Sequence, residues 1–443
     1  MPRSTIGVAQ SGGRWWGRWA LGSSVSVVAA VSALVAGVVL WGGPAAVASE
    51  NTSPFTTLSV AVGTAPVGVA VDEATGTVYV TNEGSNTVSV IDEATNTVTA
   101  TIAVGSEPYG VAVDETTDTI YATNFGSNTV SVIDGPSNAV TTTVAVGSEP
   151  YGVAVDETTD TIYATNFGAG SNSVSVIDGP TNTVTATVSV GSEPIAVAVD
   201  ETSDTIYAAN YLSNTVSVID GPTNAVTATV SVGSPPDGVA VDETTDTIYA
   251  ANYSTGPATV SVIDGATNAV KTTVPVGSET SAVAVDEATD IVYATNEGSN
   301  TVSVIDGATN AVKATVPVGS EPAGVAVDEI TDNIYAANFG SNTVSVIIPA
   351  TANVSPSSGP PKTSVTVSGQ GFTPGETIKV SYKTGLASPK SVTVCTTTAL
   401  PDGSYSCSGT IPPKATAGAH TAHKMLVKGA TSLIKVKTTF TLT

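Results

Sequence analysis

Two histidines and two cysteines in 443 residues leave little material for metal or acid–base chemistry. Zinc fingers, iron–sulfur clusters, multi-histidine metal centres and most imidazole mechanisms need more of these side chains than the chain holds. Basic residues are scarce too: 14 Lys and Arg stand against 38 Asp and Glu, a formal net charge of −24. Such a surface has little with which to neutralise a phosphate backbone, so nucleic acid is not an expected partner. The four tryptophans, Trp15, Trp16, Trp19 and Trp41, all fall within the first 50 residues. What remains is rich in Val, Thr, Ser and Asn, with 42 Gly and 25 Pro and only 12% charged residues. That is the composition of strands and turns, not of helices.

Residues 1–50 stand apart from the rest. Arg3, Arg14 and Arg18 precede an uncharged Val/Ala/Leu run from Val25 to Trp41, and Ala46-Val47-Ala48 supplies small residues at the spacing of a signal-peptidase site. The segment 1–48 is therefore expected to be a secretory signal cut near Ala48. An uncleaved anchor is the alternative, because the apolar run reaches back to Ala20 and approaches the roughly 20 residues that span a bilayer. Only in that case is a membrane an expected partner.

Beyond the signal the chain repeats itself. The string VAVDE recurs with its aspartate at Asp72, Asp114, Asp156, Asp200, Asp242, Asp286 and Asp328, spacings of 42 or 44 residues. Each unit carries four strand candidates of the type GVAVD, TIYATN, TVSVID and AVTATVSVG, separated by turn-forming residues. A period near 40 built this way predicts propeller blades. The seventh unit stops at Ile348 after its third strand, while Thr56–Gly63, before the first unit, has the pattern of a fourth. The expectation is an all-β, seven-bladed propeller over 55–348, closed by its N-terminal strand so that no open sheet edge remains at the seam.

The repeated Tyr79-Val80-Thr81-Asn82, Tyr121-Ala122-Thr123-Asn124 and their later equivalents resemble the YVTN-type β-propeller repeat family of secreted and surface proteins. The resemblance covers all seven units. It implies the fold and an exported location, and leaves activity open, since relatives include surface-layer proteins, lactonases and lyases.

From Pro349 the composition changes. Residues 350–443 hold nine Lys and only Glu376 and Asp402 as acids, whereas the propeller has 35 acids against Lys271 and Lys313. Alternating runs such as Ser364–Ser368 and Ile378–Tyr382 predict a β-sandwich of about 100 residues. Its opening, VSPSSGPPKTSVTVSGQGFTPGETIKV, resembles the Ig-like and IPT-type modules of bacterial surface proteins. Cys395 and Cys407 flank the turn Pro401-Asp402-Gly403 and are expected to meet across a hairpin, as a disulfide in an exported protein or as two buried thiols otherwise. His420 and His423, three apart, fall on opposite faces of a strand and are expected to be solvated rather than to share a metal.

Loops joining strand four to one and strand two to three share one face of such a propeller, the top; the other loops share the bottom. The bottom collects 27 acids and the top 8. Calcium is one reading of that disk; turn geometry is the other, because the first unit carries Gly76 where later units carry Asp118, Asp160 or Asp204. The propeller has no His, no Cys and no Gly-x-Ser-x-Gly elbow, so no catalytic residue is assigned and no cofactor is expected. A lactonase using a carboxylate-bound metal is the enzymatic alternative, and a surface-layer component the structural one.

The units disagree at one place. After each Tyr-x-x-Asn stand Glu83, Phe125, Phe167, Tyr211, Tyr253, Glu297 and Phe339, and Tyr109 and Tyr151 follow two Gly-Ser-Glu-Pro turns. Since Glu83 and Glu297 share that position, the aromatics are expected to be partly exposed on the top face. Tyr109, Phe125, Tyr151, Phe167, Tyr211 and Tyr253 then form either a platform for a glycan or peptide of the cell wall or extracellular space, or wedges between blades. The function expected is an exported, non-enzymatic binding or scaffold module.

Overall fold

In the computed structural model the described residues are 55–386, 388–413, 422–432 and 434–443. The expected signal segment, 1–48, and His420 lie outside them. Among the described residues no helix is long and apolar enough to cross a membrane.

The repeats fold as four-stranded antiparallel sheets. In the first, Pro66–Asp72, Thr77–Asn82, Thr87–Asp92 and Thr97–Ala103 pair in chain order. Five further sheets repeat this order. A seventh takes Pro322–Asp328, Asn333–Asn338 and Thr343–Pro349 from the end of the array and its last strand, Phe55–Ala61, from the beginning. The register runs from Phe55 opposite Pro349 to Ala61 opposite Thr343. Second strands are buried almost throughout, whereas fourth strands, at the outer edge of each sheet, are largely exposed and bury one residue near their end, Val188 in the third sheet.

The first strands of successive sheets pack side by side, and that of the last sheet packs on that of the first, so the array closes on itself. This contact dictates a small residue. A Cβ on Gly110 would lie 2.6 Å from the Tyr151 carbonyl oxygen, and one on Gly324 would collide with the Val67 carbonyl across the seam. Where the second strand carries threonine its hydroxyl ties the same strands together, as in Thr123 Oγ1 donating to the Tyr151 carbonyl at 2.6 Å.

The C-terminal segment forms a three-stranded sheet (Asn353–Ser355, Ser364–Gly369, Tyr405–Thr410) and a five-stranded sheet (Ser358–Gly359, Lys435–Leu442, Ala422–Gly429, Thr377–Lys383, Ser391–Thr398). Val365, Val367 and Tyr405 from one sheet and Ile378, Val380, Tyr382, Met425, Val427 and Phe440 from the other share a core. Cys395 and Cys407 are bonded, with Cα atoms 6.0 Å apart. Their strands belong to different sheets, so the bond joins the two layers rather than the two arms of one hairpin. His423 also departs from expectation. It is 6% exposed, stacks on Tyr382 with ring centroids 5.0 Å apart, and its Nδ1 lies 3.0 Å from the Lys383 carbonyl. Met425 and Val427 make the odd-numbered face of its strand the inward one, and His423, two residues before Met425, falls on that same side.

This segment touches the propeller at its seam. Gln370 Nε2 donates to the Thr331 carbonyl at 2.9 Å, and Thr56 Oγ1, on the closing strand, donates to the Gly371 carbonyl at 2.7 Å.

Candidate functional site

Each sheet presents the start of its first strand and the end of its second at the top face, as in the pairing of Pro108 with Asn124. The asparagine there is structural: Asn124 is buried, and its amide donates to Thr129 and Ser131 hydroxyls at 3.1 and 3.0 Å. The residue after it begins a tight turn at Phe125–Ser127, whose Phe125 N–H donates to the Glu107 carbonyl at 2.9 Å. Side chains at this position and at that of Tyr109 therefore converge at one edge of neighbouring sheets.

The structure brings four of the six expected aromatics together. Tyr109 lies 5.2 Å from Phe125 and 4.4 Å from Tyr151 between centroids, and Phe167 lies 5.8 Å from Tyr151 and 6.3 Å from Phe125. Tyr211 and Tyr253 form a separate pair at 6.4 Å. Two of them are not exposed as expected: Tyr109 and Phe125 are only 4% and 6% exposed. The position is not uniform around the ring: Phe125 is buried among aromatics of its own and the next sheet, while Glu83 and Glu297 at the equivalent place are half-buried. Tyr151, Phe167, Tyr211 and Tyr253 are half-buried and present the accessible part of the surface.

The bottom face is organised by hydrogen bonds that run from each sheet to the next. The glutamate of each VAVDE string accepts the backbone N–H of the preceding sheet's glutamate. Glu73 donates to Glu115 at 2.9 Å, Glu115 to Glu157 at 3.0 Å, Glu157 to Glu201 at 3.0 Å and Glu201 to Glu243 at 2.9 Å. Glu243 continues to Glu287 at 3.0 Å, Glu287 to Glu329 at 2.9 Å, and Glu329 returns to Glu73 at 2.7 Å. The result is a closed belt of seven carboxylates that stitches every sheet to the next. Burial pushes the Glu73, Glu115, Glu201, Glu287 and Glu329 carboxyls above the ordinary range, neighbouring carboxylates add to this, and the backbone N–H of the belt opposes it. The signal was present in the sequence: a glutamate follows the aspartate in all seven copies.

The aspartates beside them hold turns. Asp72 Oδ1 accepts the Thr75 N–H at 2.9 Å, and Asp114, Asp156, Asp200, Asp242, Asp286 and Asp328 repeat the contact. Asp118 has φ 51° and Gly76 has φ 64°, the left-handed conformation expected of that position. Among the described residues no three or more His, Cys, Asp or Glu are grouped so as to hold a metal ion.

One bottom-face residue breaks the pattern. Glu93 stands where the later turns have Gly135, Gly179 or Gly221, and it lines a cavity of about 320 Å³ at the seam with Asn333, Gln370 and Asp402. Burial first, then the adjacent Asp328 carboxylate, push its carboxyl up to about 8, with the Tyr335 hydroxyl partly offsetting them.

Comparison with known proteins agrees with this architecture. The Kuenenia stuttgartiensis hydrazine synthase structure superposes with a TM-score of 0.59 over 64% of this chain and 95% of that one, at 20% identity, a likeness of fold. The Mycobacterium tuberculosis PE-PGRS family protein PE_PGRS18 is 60% identical over 47 residues, which are 11% of this chain and 10% of that protein. Residues 27–273, more than half of the chain, match the family described as YNCE-like beta-propeller. With its repeated four-stranded sheets arranged around a closed array of inner strands, the chain belongs to the YNCE-like β-propeller family.

Proposed function

We propose that the protein is an exported, non-enzymatic binding module: a seven-bladed propeller over 55–348, closed by its N-terminal strand, with an Ig-like domain over 350–443. Its ligand is an extracellular or cell-wall glycan, or a peptide with apolar side chains, held on the top face. The observation that carries this reading is the gathering of aromatics on neighbouring blades of an otherwise near-identical array. Stacked rings offer flat apolar area at small entropic cost and suit sugar faces. Supporting the non-enzymatic part, the bottom carboxylates are engaged with the chain's own backbone, and seven equivalent positions do not supply the different groups that catalysis brings to one point. The disulfide is compatible with an oxidising compartment.

The test is a glycan and cell-wall array probed with the full chain and with a Tyr151→Ala/Tyr211→Ala variant. These rings are half-buried, so their loss is tolerated better than that of Tyr109. The expected result is binding weakened at least tenfold with the melting temperature changed by a few degrees. Undiminished binding by the variant would place the site elsewhere, and chelator-sensitive turnover of a lactone would overturn the non-enzymatic reading.

A further inference from the structure

The first strands begin at the top face, and their second residue differs from sheet to sheet. Tyr109 and Tyr151 hold this place in the second and third sheets, Ile195 and Ala323 in the fourth and seventh, and Asp237 in the fifth. Asp237 is its only charged occupant. Since neutral residues serve in every other sheet, the fold does not call for a charge there. The aspartate is nonetheless only 6% exposed.

Its surroundings follow from the repeat. Tyr151 lies 5.8 Å from Phe167 of its own sheet and 6.4 Å from Phe125 of the sheet before, and those two phenylalanines are 6.3 Å apart. The equivalent residues around Asp237 are Tyr253 and Tyr211, with ring centroids 6.4 Å apart. Their backbones are anchored as in the earlier sheets: Tyr211 N–H donates to the Glu193 carbonyl at 2.9 Å and Tyr253 N–H to the Pro235 carbonyl at 2.8 Å. The fifth sheet therefore keeps the pair of rings and sets a carboxylate where the third sheet has a ring between them. Next to Tyr211, Leu212 stands where other sheets have Gly126 or Gly168, and it is 57% exposed.

The rest of the top face carries the same sign of charge. Its eight acids include Glu107, Glu149 and Glu193, and it holds no Lys, Arg or His, because the propeller's two lysines lie on fourth strands beside Asp264 and Asp306 at the bottom. Burial first, then the Glu149 carboxylate, raise the Glu193 carboxyl above the ordinary range. An anionic ligand meets like charge here, whereas a cation is drawn by the carboxylates and by the faces of the rings.

We propose that the top face takes a peptide segment carrying arginine or lysine next to an aliphatic residue, the cationic group seated at Asp237 between Tyr211 and Tyr253 and the aliphatic side chain on Leu212. This rests on the reading of the top face as the binding surface and chooses among its ligands. A neutral glycan would use the rings and not the carboxylate, an acidic wall polymer would be repelled, and an amino-sugar polymer would leave Leu212 without an apolar counterpart. A guanidinium both stacks on a ring and bonds a carboxylate, which matches the two kinds of group at this seat.

The experiment is fluorescence anisotropy on the full chain with a short labelled peptide of alternating leucine and arginine, the same peptide with citrulline for arginine, and labelled chitosan and cellulose oligomers. The arginine peptide should bind the parent on the order of tenfold or more tightly than the citrulline peptide, its uncharged isostere, and its affinity should fall as salt is raised. Asp237→Asn, which removes the charge and keeps the shape, should weaken the arginine peptide by about the same factor with the melting temperature held or raised. Asp160→Asn on the bottom face makes the same change in net charge and should bind within about twofold of the parent. Equal binding of the two peptides by the parent would overturn the proposal without any variant. So would an Asp237→Asn protein that keeps its affinity, or cellulose oligomers that bind as tightly as the arginine peptide. Tighter binding of chitosan that Asp237→Asn abolishes would overturn the peptide and assign the seat to an amino-sugar polymer. The Tyr151→Ala/Tyr211→Ala variant separates the two readings. If it loses the ligand found on the array while Asp237→Asn keeps the arginine peptide, the binding surface stands and the cation seat falls; if it keeps both ligands, both readings fall.

Discussion

In the second sheet, Gly135 sits against Asp118 so closely that a Cβ on it would overlap Asp118 Oδ1 and lie 2.6 Å from Cγ and 2.8 Å from the carbonyl oxygen. Gly179, Gly221, Gly265 and Gly307 repeat this with Asp160, Asp204, Asp246 and Asp290. The first sheet reverses the pair. Gly76 replaces the aspartate, Glu93 replaces the glycine, and the turn hydrogen bond, 2.9 Å from Gly135 N–H to the Asp118 carbonyl, becomes 3.1 Å from Glu93 to Gly76. One turn therefore accommodates a side chain at either position but not at both. Gly135→Glu alone should cost about 2 kcal/mol, within the usual overpacking range. Asp118→Gly alone should be nearly neutral, because relief of the left-handed backbone offsets the added unfolded-state freedom. The double variant should recover more than half of the loss, a coupling of about 1–2 kcal/mol, since the first sheet shows that a small opening of the turn absorbs the remaining carbonyl contact. For a domain of this size the single Gly135→Glu change corresponds to a drop on the order of 5 °C in melting temperature. Calorimetry on the four proteins of the cycle measures this. Additivity within about 0.5 kcal/mol would refute the steric account and leave Asp118 with some other role.

Two further outcomes follow from the seam. Removing residues 55–63 takes away the strand paired with Thr343–Pro349 and the buried Val60, exposing the edge that carries Val344, Val346 and Ile348; soluble yield and melting temperature should both fall, and an unchanged melting temperature would contradict closure by this strand. Stability should also decline with alkalinity. The Glu93 carboxyl is raised to about 8 in the folded chain, above its unfolded value, so the folded state holds more protons in between; its contribution is complete below the unfolded value and is lost as pH rises through about 8. The melting temperature should fall from pH 5 to pH 9, and Glu93→Gln should flatten that slope; a profile rising over this range, or one unaffected by the substitution, would sink the assignment.

The backbone plan was legible because a repeat prints it seven times. Strand order, the borrowed fourth strand and the left-handed position at Asp118 were all visible in the spacing, the truncated last unit and the single Gly76 substitution. What escaped was everything set by a neighbour that lies a full repeat away. Glu115 reads in isolation as a surface charge, and only the packing of one sheet on the next turns it into the acceptor of the Glu73 N–H. The burial of Tyr109 and Phe125 is hidden for the same reason, because glutamate at the position equivalent to Phe125 in two other copies does not report the environment of every copy. In an array whose backbone is constant, the environment of a variable position is built by the other variable positions. Tyr109, with Phe125 at 5.2 Å and Tyr151 at 4.4 Å, is buried by residues that are themselves departures from the repeat. Such positions must be read as a set around the ring, one sheet against the next, and the aromatic run from Tyr109 to Tyr253 becomes visible only when neighbours in space replace neighbours in sequence.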